Sequence, residues 1–205
     1  MTVSTTSSAN PTAAAPVDVV IMAAGKGTRM KSKLPKVLHR LAGRALVQHV
    51  VDAARALNAR NAVVITGHGA IEVEAALTAS MRADAVSDAP FAMNFVRQEP
   101  QLGTGHAVQQ AVPALADDGV VIVLSGDVPL TQVDTLQALI AACGGTRLAL
   151  LTIDFADPTG YGRIVRTQGA SGDVQAIVEH KDASDTQRQI REVYSGIMAV
   201  PAAML

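Results

Sequence analysis

The chain has 205 residues, 49% of them apolar, which excludes wholesale disorder and suits one domain of roughly 100–200 residues. With 17 basic and 18 acidic residues the formal net charge is −1, so no bulk attraction to nucleic acid or anionic lipid follows. The single cysteine, Cys143, excludes an internal disulfide and a cysteine-rich zinc site.

Residues 1–16 are rich in Ser, Thr, Ala and Pro, with no Lys or Arg and no apolar core. They read as a disordered leader rather than a signal peptide. No apolar run reaches the ~18 residues of a membrane span. The expectation is a cytoplasmic protein whose folded part runs over 17–205.

Val17–Met22 is a continuous β-branched run, the pattern of a strand buried on both faces of a parallel sheet. A small-residue loop, Ala23-Ala24-Gly25-Lys26-Gly27-Thr28-Arg29, follows it. Helical spacing appears over 45–57, a second strand over Asn61–Thr66, a helix over 70–79 and a third strand over Phe91–Val96. A helix over 104–115 must end early at Pro113. Val120–Leu124 is the most strand-like segment, and Thr131-Gln132-Val133-Asp134 has the form of a capping box opening another helix. A strand over Arg147–Ile153 and short strands near 161–166, 174–179 and 192–199 complete the pattern. Strands alternating with helices predict an α/β fold with a mostly parallel central sheet. Such sheets place ligands at the carboxyl ends of their strands, which directs attention to the loops after Met22, Val96 and Leu124.

The first of these loops fails both common phosphate patterns. Its Gly and Lys are in the wrong order for G-x-x-x-x-G-K-[ST], and Met30 stands where G-x-G-x-x-G needs its third glycine. What it offers is a glycine-rich turn with three cations, Lys26, Arg29 and Lys36, suited to phosphate oxygens. Ser125-Gly126-Asp127 places a carboxylate where a divalent cation could be held. Gln98 has the donor and acceptor pair that matches a nucleobase edge, and Gly103-Thr104 opens a helix. The five histidines show no metal-ligand spacing, and each reads as a surface or capping residue. No nucleophile motif occurs, and Cys143 reads as a buried residue at a helix end.

Taken together, these stretches resemble the sugar nucleotidyltransferases. Leu34-Pro35-Lys36-Val37-Leu38, Gln101-Leu102-Gly103-Thr104-Gly105-His106-Ala107, Gly126-Asp127-Val128-Pro129-Leu130, Thr159-Gly160-Tyr161-Gly162-Arg163-Ile164 and Glu179-His180-Lys181-Asp182-Ala183 narrow the resemblance. They are similar to the N-terminal uridylyltransferase domain of the bacterial GlmU family over about residues 17–200. The resemblance implies a Rossmann-like nucleotidyltransferase fold with a smaller β-rich sugar-binding part. It implies Mg²⁺-dependent transfer of uridylyl from UTP to N-acetylglucosamine 1-phosphate, giving UDP-N-acetylglucosamine and pyrophosphate for peptidoglycan and lipopolysaccharide precursors.

By motif, Ala23, Ala24 and Gly25 would lie against the uridine, and Gln98, Gly103 and Thr104 would read the uracil. Arg29 and Lys36 would contact phosphates, beside Ser125 and Gly126, and Asp127 would hold Mg²⁺. Gly162 and Glu179 would bind the sugar. Ser195 stands where the family has an Asn near the sugar. In the family, a second metal ligand, the last part of the domain and an acetyltransferase β-helix lie beyond the point where Leu205 falls, and whole relatives form homotrimers. Two other readings stay open: a related nucleotidyltransferase with another base or sugar, and a nucleotide-sugar-binding module without turnover.

Overall fold

The computed structural model describes residues 15–83, 91–168 and 172–205. Most of the expected leader therefore lies outside the described residues, although the Pro16 carbonyl already accepts a hydrogen bond from Val120 N at 2.9 Å. Four runs rich in β-branched residues form the parallel centre: β1 (Val17–Met22), β4 (Asn61–Thr66), β5 (Ala92–Arg97) and β6 (Val120–Ser125). They stand in the order β5-β4-β1-β6, so the chain winds outward from β1 in both directions. Between them lie α1 (Leu46–Ala56), α2 (Ala70–Ala83) and α3 (Thr104–Ala111); α4 (Val133–Cys143) follows β6. A two-residue hairpin, β2 (Arg40–Leu41) with β3 (Arg44–Ala45), precedes α1.

The later strands are β7 (Ala149–Asp154), β8 (Arg163–Arg166), β9 (Val174–Val178) and β10 (Glu192–Pro201), with the short helix α5 (Asp185–Arg188) before β10. β10 pairs antiparallel with β6, β7 and β8, and β8 pairs antiparallel with β9. The β-rich part is thus an extension of the one eight-stranded sheet and not a separate layer.

Alternation along β1 explains the layering. Val19 and Ile21 face a core built with Val47, Val50 and Ala54 of α1, Leu77 of α2 and Leu136 and Leu139 of α4. Val20 faces the opposite core with Ala107, Val108 and Ala111 of α3. Both faces of the central strands are covered, which is why their sequences are apolar throughout.

Pro113 acts as expected: α3 stops at Ala111 and tightens into a 3-10 turn over Val112–Ala114. The capping box at 131–134 does not form. Gln132 is the N-cap and makes no side-chain cap, while the Thr131 hydroxyl donates to Val128 O. The loop after β6 leaves that hydroxyl nearer its own turn than the first turn of α4. Cys143 is fully buried as the last residue of α4. Among the described residues no helix is long and apolar enough to cross a membrane.

Two charged side chains, Asp18 and Arg163, lie inside among the described residues. Asp18 on β1 is 1% exposed and receives two hydrogen bonds from Arg60, Nε to Oδ1 at 2.9 Å and Nη2 to Oδ2 at 2.8 Å. Arg60 also pairs with Asp118, and these carboxylates raise its pKa further above its ordinary value. Arg60→Leu strands the Asp18 carboxylate and is expected to lower the unfolding free energy by about 3 kcal/mol, measured by urea denaturation.

Candidate active site

β1 and β6 are parallel neighbours whose connections leave on opposite sides, so their carboxyl ends open a crevice. The loops after β1, β5 and β6 converge there. They line a cavity of about 380 Å³ with Ala24, Gly25, Lys36, Gln98, Gly103, Thr104, Ser125 and Asp127, residues drawn from four separate sequence stretches.

The walls are set by backbone hydrogen bonds. Ala23 N donates to Ile65 O at 2.8 Å, which carries the chain straight on past the end of β1. The Ala24 carbonyl accepts from His68 N at 3.2 Å and from Gln101 Nε2 at 2.9 Å. Gly126 N donates to Met22 O at 2.9 Å, tying the β6 loop to β1. Ala23 is buried at 2% exposure and Gly126 sits against Met22 O and Val37, so these two expected site residues shape the wall from behind.

Gly27 has φ 59°, in the left-handed region that favours glycine, and a Cβ there would lie 2.8 Å from the Cβ of Lys36. The turn thus folds directly onto the strand of chain bearing Lys36. That residue begins a 3-10 turn anchored by Val37, which is 5% exposed. Arg29 lies in the 3-10 turn Thr28–Met30, and its side chain is outside the described residues. Lys26 does not line this cavity. It borders a neighbouring recess of about 850 Å³ with Lys33, His68 and Arg97, which shares Gln98 and Gln101 with the first. The smaller cavity holds the Lys36–Asp127 pair at the ends of β1 and β6, and the larger recess adjoins it at Gln98 and Gln101.

Lys36 Nζ forms an ion pair with Asp127 Oδ2, and Ser125 Oγ donates to Asp127 Oδ1 at 2.9 Å. Burial opposes ionisation of Asp127, but the Lys36 ammonium and the Ser125 hydroxyl outweigh it and hold the carboxyl below its usual range. The carboxylate is therefore charged at neutral pH. Asp127 is the one carboxylate lining the cavity, and no group of three His, Cys, Asp or Glu residues occurs among the described residues. One carboxylate beside space for phosphates fits a hard divalent cation such as Mg²⁺, which takes few protein ligands.

Gln98 follows β5 and is 5% exposed. Its Nε2 donates to Gly103 O at 2.8 Å and lies 3.2 Å from His106 Nδ1. Gly103, at φ 108°, is the N-cap of α3, so Thr104 is the first helical residue.

The three residues expected at the sugar do not line this cavity. Gly162 and Glu179 are neighbours: a Cβ on Gly162 would lie 3.0 Å from Ile177 Cγ2 and 3.7 Å from Glu179 Oε1. The Ser195 hydroxyl is engaged inside the sheet, donating to Leu151 O at 2.7 Å and accepting from Ile197 N at 3.2 Å. It bridges an irregularity where the β7–β10 register shifts.

Arg163 links the Tyr161–Arg163 and Glu179–Asp182 stretches. It is 1% exposed, donates to Tyr161 O and to Arg188 O, and lies 3.2 Å from His180 Nδ1. A buried arginine thus pins both turns to α5. Gln101, to which the motif reading assigns no role, lines both cavities and donates to Ala24 O.

A parallel sheet with a glycine-rich turn, a lysine and a carboxylate at its switch point defines a nucleotide-binding α/β domain. The family described as the MobA-like NTP transferase domain matches residues 19–190, and the chain belongs to it. It is 73% identical over 190 residues to the bifunctional protein GlmU of Albidiferax ferrireducens, covering 92% of this chain and 39% of that protein. It is 54% identical over 189 residues to the bifunctional protein GlmU of Cellvibrio japonicus, covering 92% and 39%. The chain thus spans about two fifths of the length of these curated relatives. The fold is similar to a UDP-glucose pyrophosphorylase complexed with UDP-glucose (TM-score 0.72, 16% identity, 90% of this chain and 76% of that one). It is also similar to a UTP-bound UGPase from Acinetobacter baumannii (TM-score 0.70, 20% identity, 91% and 75%).

Gly67 tests the wall. A Cβ there would lie 2.7 Å from Gln101 Nε2, 2.9 Å from Ala24 Cβ and 3.1 Å from Ala24 O. Gly67→Ala is expected to push the loop after β1 into the cavity and to weaken nucleoside triphosphate binding about tenfold by titration calorimetry, with the far-ultraviolet circular dichroism unchanged.

Proposed function

We propose that this domain transfers uridylyl from UTP to N-acetylglucosamine 1-phosphate, releasing pyrophosphate. The observation that carries the reading is the single cavity uniting Lys36, Asp127, Gln98 and the start of α3, in a chain 73% identical to a bifunctional protein GlmU. The acetyl transfer and trimeric assembly expected from the family concern length beyond the stretch matched.

The attacking oxygen belongs to a phosphate that is already anionic at neutral pH, so no general base is required. Catalysis then reduces to alignment and charge stabilisation at the α-phosphate. Lys36 is placed to neutralise charge building on phosphate oxygens as pyrophosphate leaves, and Arg29 is assigned to the same phosphates. Asp127 and the substrate phosphates would hold Mg²⁺, which would supply further positive charge across the reacting oxygens. The Lys36–Asp127 pair fits this division of labour: with a triphosphate present, the ammonium exchanges the carboxylate for phosphate and frees the carboxylate for the cation. Gly103 and Thr104 present the N-terminus of α3 to the uracil carbonyls. Gly162 and Glu179, with Ser195 nearby in the sheet, are assigned to the sugar side.

Asp127→Ala is expected to reduce Mg²⁺-dependent pyrophosphate release by at least about a thousandfold, as loss of a main charge-stabilising group at a transferring phosphoryl does. Near-wild-type release with UTP and N-acetylglucosamine 1-phosphate would overturn the assignment. Since Asp127 stays charged and the chemistry needs no base, the wild-type rate should also be level with pH from about 7 to 8.5, above the carboxylate range and above the second ionisation of a phosphate monoester near about 6. A bell-shaped profile centred there would contradict the mechanism.

A further inference from the structure

We propose that Tyr194 is a specificity-determining residue for the acceptor: it walls a second, apolar cavity that receives the acetamido group of an N-acetylated sugar and disfavours the sugar that carries a hydroxyl there. The proposal rests on the uridylyl-transfer reading of the reaction cavity. The second cavity, of about 360 Å³, lies on the α3 face of the sheet and is lined in part by Met22, Thr104, Gly105, Ile177, Tyr194 and Met198. Met22 and Thr104 also line the reaction cavity, so the two adjoin at the end of β1 and the start of α3. The far side leads to the residues assigned to the sugar. Tyr194 N donates to Gly162 O at 2.9 Å, and a Cβ on Gly162 would lie 3.0 Å from Ile177 Cγ2. Strand β10 thus gives Tyr194 to this side and not Ser195, whose hydroxyl is spent on Leu151 O and Ile197 N.

The lining decides what fits. Among the described residues no charged side chain borders this cavity, and most of its wall is aliphatic. An acetamido group differs from a hydroxyl by a methyl and an amide carbonyl. The methyl gains by leaving water for an apolar wall, whereas a lone hydroxyl there loses hydration for little return. The half-buried Tyr194 ring supplies an apolar face together with one polar tip. Burial alone raises the pKa of its hydroxyl, with no side-chain partner contributing, so the group is protonated at neutral pH and can donate to the amide carbonyl. The helix opposite leaves room: a Cβ on Gly105 would meet nothing within 4 Å. The reaction cavity therefore holds the nucleotide and the charge, and the apolar cavity beside it discriminates among acceptors.

The test is calorimetric titration of the full 205-residue chain with UDP, UDP-N-acetylglucosamine and UDP-glucose, in wild type, Tyr194→Ala, Tyr194→Phe and Ile177→Ala. Wild type is expected to prefer UDP-N-acetylglucosamine over UDP-glucose by at least about tenfold, the scale on which a pocket separates ligands by a small apolar group. Tyr194→Ala is expected to lower that preference about tenfold and to leave UDP binding unchanged. Tyr194→Phe keeps the ring and loses only the donor, so its preference falls between the two. Ile177, exposed on the edge strand β9, tests the same wall without disturbing the core, and Ile177→Ala is expected to lower the preference in the same direction. A merely structural loosening would weaken all three ligands alike, so a ratio unmoved in both alanine variants overturns the proposal. If wild type binds UDP and shows no preference between the two sugars, the role of Tyr194 fails while the nucleotide site stands. If wild type binds none of the three, the reading of the reaction cavity fails with it.

Discussion

Strands β1 and β6 run parallel and in register from Val17 against Val120 to Met22 against Ser125, and everything functional hangs on that seam. Because the chain leaves β1 toward β4 and arrives at β6 from beyond β5, no connection crosses the carboxyl end of the seam. Backbone groups there find partners outside the regular ladder: Gly126 N on Met22 O, Ala23 N on Ile65 O, and Gln101 on Ala24 O. These bonds place a glycine-rich turn and an acidic loop side by side. The two packed faces of the sheet hold the seam rigid, and a site on strand ends is correspondingly well positioned.

The electrostatics follow from that placement. A half-buried carboxylate alone would tend to gain a proton; Asp127 instead stays charged because Lys36 and Ser125 face it. The pair is nearly neutral as a unit, so the partly buried carboxylate is not left unpaired. In the proposed reaction a triphosphate would bring negative charge to Lys36 and a divalent cation positive charge to Asp127. At the other end of the cavity the contacts are neutral: Gln98 Nε2 donates to Gly103 O and lies 3.2 Å from His106 Nδ1.

Much of this was legible from the residues. Continuous β-branched runs at Val17–Met22 and Val120–Leu124 announced the central parallel strands, and the three loops they and Phe91–Val96 lead into are the three that meet. Pro113 ended α3 where its missing N–H required. Other features were not legible because they depend on through-space partners. The Thr131 hydroxyl had a closer acceptor in its own turn than at α4. The Ser195 hydroxyl bridges a register shift between β7 and β10 that no local pattern encodes. The mutual neutralisation of Lys36 and Asp127, and the link from Gln98 to His106, arise only when distant loops converge. Lys26, grouped with Lys36 by proximity in sequence, faces the outer recess because the turn at Gly27 separates them.

The central claim is that the nucleotide occupies the crevice between β1 and β6, with its α-phosphate between Lys36 and Asp127. A crystal structure of the chain with UTP and Mg²⁺ tests it most directly. The account predicts the uracil ring against Gln98 and the first residues of α3, with the Lys36 ammonium moved from Asp127 onto phosphate oxygens. UTP bound wholly in the outer recess of Lys26, Lys33 and Arg97, with the Lys36–Asp127 pair intact, would contradict it.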